Sequence, residues 1–312
     1  MQEYYAAPME GLTGWRWRQA QAQLFGGADR YYTPFLSPNG NFEFQTKELR
    51  EIDPENNRGL STVPQILTNR AEYFVWAAKE CRSRGYTEVN LNLGCPSGTV
   101  TGKNKGAGLL REPALLRQLL DGIFDALPDL KISVKTRIGW DDPAQWPALL
   151  EILNGYPIAL LIVHPRVRTQ FYKGEVSRET FAWTREHTRL PLCYNGDLLT
   201  PADAAAAPEA TALMFGRGLA ADPSLLRRLR GGPAATVEEL QEFHDRLYAA
   251  YRRDYSGDAP ALHRMRELWS YLAGSFRDTD RLLRSVRKAR SGGEYEQAVG
   301  QFFARAELLW DD

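Results

Sequence analysis

The sequence predicts an α/β protein: a (β/α)8 TIM barrel followed by a C-terminal all-helical bundle. Short runs rich in β-branched and aromatic residues alternate with amphipathic helical stretches as far as about residue 230. No Gly-x-Gly-x-x-Gly follows the first of these runs, which disfavours an open dinucleotide-binding sheet. After Arg230-Gly231-Gly232-Pro233 the strand signal stops, and only apolar residues at three- and four-residue spacing continue. The barrel is therefore expected at 1–232 and the helical domain at 233–312.

In chain order the strands are expected at 4–8, 30–35, 63–67, 88–93, 131–137, 160–164, 191–195 and 212–216. Helical stretches fall between them at 71–84, 112–126, 146–154 and 177–187. The segment 36–61 is longer than an ordinary βα loop and carries one short helix at 47–52. It either shapes the barrel mouth or is a surface excursion. Four more helices are expected at 236–255, 259–275, 279–289 and 294–309. Thr236 followed by Glu239 is a capping-box pattern at the first of these.

The 312 residues are 43% hydrophobic and 25% charged, as in a soluble globular protein. No apolar run approaches the ~18–20 residues of a membrane helix. The opening Met1-Gln2-Glu3-Tyr4-Tyr5-Ala6-Ala7-Pro8 reads as a strand, not a signal peptide, and predicts a cytoplasmic protein. Three cysteines without close spacing, Cys81, Cys95 and Cys193, argue against a disulfide framework and against zinc. Cys81 on a helix and Cys193 on a strand read as packing residues. The formal net charge is zero, so a nucleic-acid partner requires a local basic patch.

Barrel enzymes keep their chemistry at the C-terminal ends of the strands. Cys95 lies just past such an end, in a Gly94-Cys95-Pro96 turn followed by the small run 97–102. Gly94 is expected to spare the turn a Cβ clash, and Pro96 to stiffen it. The other strand ends carry Pro8 and Met9, Gln65, Asn92, Lys135 and Arg137, His164 and Arg166, Asn195-Gly196-Asp197, and Gly216-Arg217-Gly218. The glycines after the last two strands suit a phosphate cradle, with Arg217 adding a fork of donors. A strand lysine pointing inward needs a partner, so Lys135 meets either an electron-rich ring or an internal carboxylate. His164 is either a ligand contact or a satisfied core histidine. Gln65 offers donor and acceptor to a flat heterocycle. No metal cluster is formed, since His164 is the only histidine of the set.

In this order the residues resemble the tRNA-dihydrouridine synthase family. The matching segments are Ala7-Pro8-Met9-Glu10-Gly11, Val63-Pro64-Gln65-Ile66-Leu67 and Asn90-Leu91-Asn92-Leu93-Gly94-Cys95-Pro96. They continue with Gly106-Ala107-Gly108-Leu109-Leu110, the run Val134 to Trp140, His164-Pro165-Arg166, Tyr194-Asn195-Gly196-Asp197 and Phe215-Gly216-Arg217-Gly218. The resemblance implies tightly bound, noncovalent FMN, NADPH as reductant, and a helical domain that helps clamp tRNA. It places the flavin phosphate over Asn195, Gly196, Asp197, Gly216 and Arg217, and the ring and ribityl chain against Pro8, Met9, Gln65, Lys135 and His164. Asn92 and Arg137 would help hold flavin or uracil, and Cys95 would be the general acid. Pro165 stands where the family usually has a small residue, and the loop 101–106 is less glycine-rich than in some relatives.

Reduction of the uracil C5–C6 bond needs a hydride at C6 and a proton at C5. A thiol, with an unperturbed pKa of about 8.5, is mostly protonated at neutral pH yet able to give up its proton. The target base must also leave its stack. The basic stretch Arg264, Arg266, Arg277, Arg281, Arg284, Arg287, Lys288 and Arg290 supplies the local positive surface, with Arg284 and Arg287 as tRNA contacts. The expected partners are tRNA and NADPH, with no membrane and a monomeric state. The rivals are a small-molecule FMN barrel, which the basic helical part disfavours, and a non-catalytic RNA-binding barrel, which Cys95 and Lys135 disfavour.

Overall fold

The computed structural model describes residues 2–310. Its nine strands all pair in parallel. They are β1 (Glu3–Ala6), β2 (Arg30–Tyr32), β3 (Thr62–Val63), β4 (Gln65–Ile66), β5 (Glu88–Leu93), β6 (Lys131–Arg137), β7 (Leu160–His164), β8 (Leu192–Tyr194) and β9 (Ala212–Phe215). The neighbour order is β3-β2-β1-β9-β8-β7-β6-β5-β4. Its two ends are halves of one strand, parted by Pro64, which has no N–H to give to a ladder. Leu36 closes the remaining gap: its N–H donates to the Gln65 carbonyl and its carbonyl accepts from Leu67, each at 2.8 Å. With β3 and β4 counted as one, the nine strands make the eight staves of a barrel.

Side chains alternate between the inside and outside of a strand. Inside, Tyr5, Tyr32, Ile162, Cys193 and Met214 belong to one buried apolar cluster. A polar set replaces it on the adjoining staves. The register sets Gln65 beside Asn90, Asn90 beside Ser133, and Asn92 beside Lys135. The helices Ala71–Ser83, Pro113–Ala126, Trp146–Asn154 and Arg178–Glu186 follow β4, β5, β6 and β7. The long segment after β2 packs against the first of these. Phe42 meets Tyr73 edge-on at 5.5 Å, and Phe44 lies 4.8 Å from Trp76. The buried Glu48 carboxylate accepts from the N–H groups of Ser37 and Gln45 at 2.7 and 2.8 Å and so ties the segment to itself. It forms a packed crossover built round the short helix Thr46–Glu51.

The chain clusters into two compact units. The first comprises the residues up to Pro8, Asp29–Leu198 and Ala202–Phe215, and holds the whole barrel sheet. The second comprises Met9–Ala28, Leu199–Pro201 and the chain from Gly216 onward. The helix Trp15–Phe25 thus groups with the C-terminal helices Val237–Asp254, Asp258–Leu272, Asp280–Lys288 and Gly292–Phe303. Trp17 and Phe25 both pack on Phe243, with centroids 6.2 and 5.7 Å away. This helix has no counterpart among the amphipathic stretches read from sequence, because its buried face includes Arg18 and Gln21. Those two bond the carbonyls of Thr13 (3.0 Å) and Pro223 (2.9 Å). The capping box is formed as expected: Glu239 N–H donates to Thr236 Oγ1 at 3.2 Å, and Thr236 N–H to Glu239 Oε2 at 3.0 Å. Among the described residues no helix is long and apolar enough to cross a membrane.

Candidate active site

The Cys95 turn grows out of a ladder of side-chain amides inside the barrel. Asn90 Nδ2 donates to Ser133 Oγ (3.0 Å), and Gln65 Nε2 donates to Asn90 Oδ1 (2.8 Å). Asn92 Nδ2 then donates to Gln65 Oε1 (2.7 Å), and Asn92 Oδ1 accepts the N–H groups of Gly94 (3.0 Å) and Cys95 (2.9 Å). Each amide's direction fixes the next, since a flipped amide would set donor against donor. Gln65 keeps one N–H and one lone pair free of the ladder, and Asn92 keeps one N–H. The carbonyl of Gly94 accepts from Arg137 Nε at 3.0 Å, and that of Cys95 from Ala107 N–H at 3.1 Å.

An ideal Cβ on Gly94 would meet nothing nearer than 3.5 Å, so the turn does not require glycine there. The steric demand lies at Gly106, where φ is +56° and a Cβ would fall 3.0 Å from the Cys95 carbonyl oxygen. Cys95 is partly exposed, whereas Cys81 and Cys193 are buried.

Lys135 stands two residues before Arg137 on β6, so both face the same side. The Lys135 ammonium is half-buried and has no hydrogen-bond or ion-pair partner among the described residues. Burial, with the Arg137 charge adding to it, holds its pKa down at about 8. His164 is pushed well below its ordinary value, first by burial and then by the charges of Arg137, Lys135 and Arg166, so it is neutral at physiological pH. Arg166 Nη1 lies 3.4 Å from His164 Nε2 and can only donate, which makes Nε2 the accepting nitrogen. The exposed Tyr172 lies edge-on to His164 at 6.1 Å and under the Arg137 guanidinium at 5.5 Å. This part of the first unit gathers the charges of Lys135, Arg137 and Arg166 near His164, with the Cys95 thiol close by.

Asn195 donates from Nδ2 to the Met214 carbonyl at 2.8 Å. Asp197 is gripped by both terminal nitrogens of the buried Arg166, at 2.9 and 2.5 Å. Its carboxylate is thereby committed, and so is the Asn195 N–H, which donates to the Val163 carbonyl at 3.0 Å. A Cβ on Gly196 would fall 2.6 Å from Val176 Cγ1. Pro8 follows β1. In the second unit Met9 opens a turn, accepting from Leu12 and Thr13, and Gly216 and Arg217 open the helix Arg217–Ala221.

The structure sorts the basic stretch of the second unit. Arg264, Arg266 and Arg277 hold the carbonyls of Gly11 (3.0 Å), Ala289 (2.7 Å) and Leu308 (3.1 Å). Arg281, Arg284, Arg287, Lys288 and Arg290 are exposed and form no ion pair among the described residues. Leu283 and Val286 form the buried face of their helix.

Sequence reasoning gave no role to Asn90, Trp140, Arg168 or Tyr172, and named Arg166 without one. Asn90, Trp140 and Arg166 stand inside the matching segments. Nothing in the pattern tells which groups they touch.

The fold and the site define a parallel-barrel protein with a cysteine and a cluster of cations at the strand ends. The family model for dihydrouridine synthase (Dus) matches residues 5–307. The chain belongs to that family. It is 25% identical to tRNA-dihydrouridine synthase B of Proteus vulgaris over 96% of this chain and 94% of that protein. It is 30% identical to tRNA-dihydrouridine synthase B of Pseudomonas aeruginosa over 75% of this chain and 73% of that one. Among solved structures, a variant of NCR from Zymomonas mobilis aligns with a TM-score of 0.51 at 16% identity, covering 76% of this chain and 90% of that one. TcOYE with pHBA aligns with a TM-score of 0.52 at 10% identity, covering 81% and 95%. At such identities the likeness concerns the barrel alone.

Proposed function

We propose that this chain is an FMN-dependent tRNA-dihydrouridine synthase, reducing the C5–C6 double bond of particular uridines with NADPH and using Cys95 as general acid. The observation that carries this reading is Lys135, an ammonium with no carboxylate partner among the described residues, on the inner face of a barrel whose rim carries the thiol. A buried cation of this kind suits an electron-rich ring that would offset its desolvation. FMN fits the residues present. Gln65 retains a donor and an acceptor for the ring edge. Pro8, Met9 and His164 would complete the ring and ribityl contacts. Asn195, Gly196 and Asp197, with Gly216 and Arg217 beyond β9, would hold the phosphate.

When bound, the reduced flavin supplies a hydride to uracil C6. The chain's own residues do the rest. Asn92 and Arg137 hold the Cys95 turn so that the thiol keeps its proton at one place, from which it passes to C5. The spare N–H of Asn92 and the Arg137 guanidinium orient the base, and neutral His164 adds no further charge beside the ring. The helical domain, 233–312, engages tRNA through the exposed arginines, Arg284 and Arg287 among them. The relatives' names and the family match support this reading.

The test is nucleoside mass spectrometry, mapped to position, on tRNA from cells with and without this protein, followed by reconstitution with the purified protein, FMN and NADPH. Loss of dihydrouridine at defined positions, restored in vitro, is expected. A protein that binds no flavin, or whose removal leaves every dihydrouridine in place, would sink the reading.

A further inference from the structure

We infer that Trp140 and Arg168 are positioning residues for Cys95, a post and a bracket that set the turn carrying the thiol. The inference rests on the reading of Cys95 as the acid.

The post is built by the backbone. Trp140 N–H donates to Gln145 Oε1 at 2.7 Å, and the Trp140 carbonyl accepts from Thr169 N–H at 3.0 Å. One residue earlier, the Gly139 carbonyl accepts from Arg168 N–H at 2.9 Å. The loops after β6 and β7 are thus joined, and the indole is placed beside the Arg168 side chain. The Arg168 guanidinium lies 4.7 Å from the Trp140 ring centroid and 4.9 Å from that of Phe171. Held against these rings, it is directed at the loop after β5. Its Nε donates to the Pro96 carbonyl at 3.0 Å, and its Nη2 to Thr101 Oγ1 at 3.3 Å.

A second guanidinium, that of Arg111, lies 4.6 Å from the Trp140 centroid. It donates to Asn104 Oδ1 at 2.5 Å and to the Thr101 carbonyl at 3.4 Å. One indole therefore orients two arginines that hold the same loop.

The consequence for the thiol follows from position along the chain. Arg137 holds the Gly94 carbonyl, in the peptide before the Cys95 Cα, and Ala107 N–H holds the Cys95 carbonyl, in the peptide after it. Arg168 holds the Pro96 carbonyl one peptide farther on, so that the three contacts together fix the turn that sets the direction of the Cys95 Cα–Cβ bond. The loop has its own local structure, since Val100 and Thr101 N–H both donate to the Ser97 carbonyl, at 3.0 and 2.9 Å. Removing the bracket should therefore shift the loop as a body and turn the thiol, without unfolding it. Misplacing a reacting group by ~1 Å can cost about 10²-fold in rate.

The test uses the flavin-loaded protein and four variants: R168A, W140A, the conservative W140F, and C95A. Cys95 is the one cysteine that is not buried, so iodoacetamide alkylation reports on it alone. For R168A and W140A we expect single-turnover reduction of tRNA uridine to fall by roughly 10- to 100-fold. Their alkylation rate should change by about threefold or more, while flavin reduction by NADPH and tRNA affinity stay at wild-type values. W140F keeps an aromatic face for the cations and should recover most of the rate. Wild-type turnover and alkylation in R168A would overturn the inference. So would a loss confined to tRNA affinity, which would make Arg168 an RNA contact instead. If C95A itself turns over at the wild-type rate, it is the acid reading that fails, and alkylation of R168A still reports whether the bracket sets the thiol. Should W140A or R168A fold poorly, R168Q with R111A carries the same comparison, and an unchanged alkylation rate in both would sink the idea.

Discussion

Each compact unit holds a buried polar network, and the two end differently. In the helical unit Trp269 Nε1–H donates to the Tyr295 hydroxyl at 2.8 Å, and that hydroxyl lies 2.7 Å from His244 Nε2. His244 Nδ1 lies 2.7 Å from Asp245 Oδ1. An indole N–H can only donate, so the protons run from Trp269 to Tyr295 to His244 to Asp245, and every buried member is satisfied. Burial keeps His244 below its ordinary pKa and raises Tyr295. In the barrel, the amide ladder rises from Ser133 to the Cys95 turn, and beside it stands Lys135, without a partner among the described residues. A closed network serves the fold, since opening it leaves a buried donor or acceptor bare. An unpaired cation weakens the fold and is tolerated where something else is to be bound.

If that contrast holds, substitutions in the two networks should separate activity from stability. The largest effect is expected for Cys95→Ala: dihydrouridine formation should fall by ~10²–10⁴-fold, the usual weight of a general acid, with flavin content and NADPH oxidation retained. Single-turnover reduction at the wild-type rate would rule out the acid role. Tyr295→Phe should cost about 1–3 kcal/mol in urea unfolding, since it strands Trp269 and His244, while flavin binding is unchanged. The same network makes stability pH-dependent. The unfolded chain takes up a proton at His244 near pH 6.5 that the native state refuses, so stability should fall as pH drops below about 6.5. A pH-independent urea midpoint between 7 and 5 in the wild type would count against it.

Lys135→Met tests the open side of the comparison. Between the folded value of about 8 and the unfolded value of about 10.4, the unfolded chain binds more protons, so stability of the flavin-free protein should rise with pH in that window. The Met variant should lose this rise, unfold at higher urea at pH 7, and bind FMN more weakly. Equal urea midpoints for the two proteins at pH 7 and 9.5 would mean Lys135 is not destabilised by burial. The smallest effect concerns Arg284 and Arg287. Replacing either with Ala should lower the slope of log tRNA affinity against log salt by about 0.7–0.9 and leave the fold intact. An unchanged slope would make them a solvated face.

Much of the barrel was legible because its signals are local. Short β-rich runs marked every stave, and Pro64 split one of them into β3 and β4 without moving it. The Thr236–Glu239 box was readable for the same reason, since its two bonds join residues three apart. Trp15–Phe25 was not, because its buried Arg18 and Gln21 are satisfied by distant or irregular carbonyls and look like surface residues in the string.

The sequence by itself determined that Cys95, Lys135, His164 and the glycines would stand at or near strand ends, because strand periodicity and turn chemistry decide where a strand stops. It also determined that the chain after Gly232 would be helical. Only the tertiary structure decided what those side chains are bonded to. It showed that Gly106 rather than Gly94 relieves the Cys95 turn, that Asp197 is spent on Arg166, and that Arg264, Arg266 and Arg277 hold carbonyls of distant segments while Arg284 and Arg287 are exposed. It also showed that Arg168, held against the Trp140 ring, reaches the Pro96 carbonyl next in the chain to Cys95. These are contacts between segments tens of residues apart, set by how the staves and loops close on one another, and a one-dimensional pattern carries no distance between them.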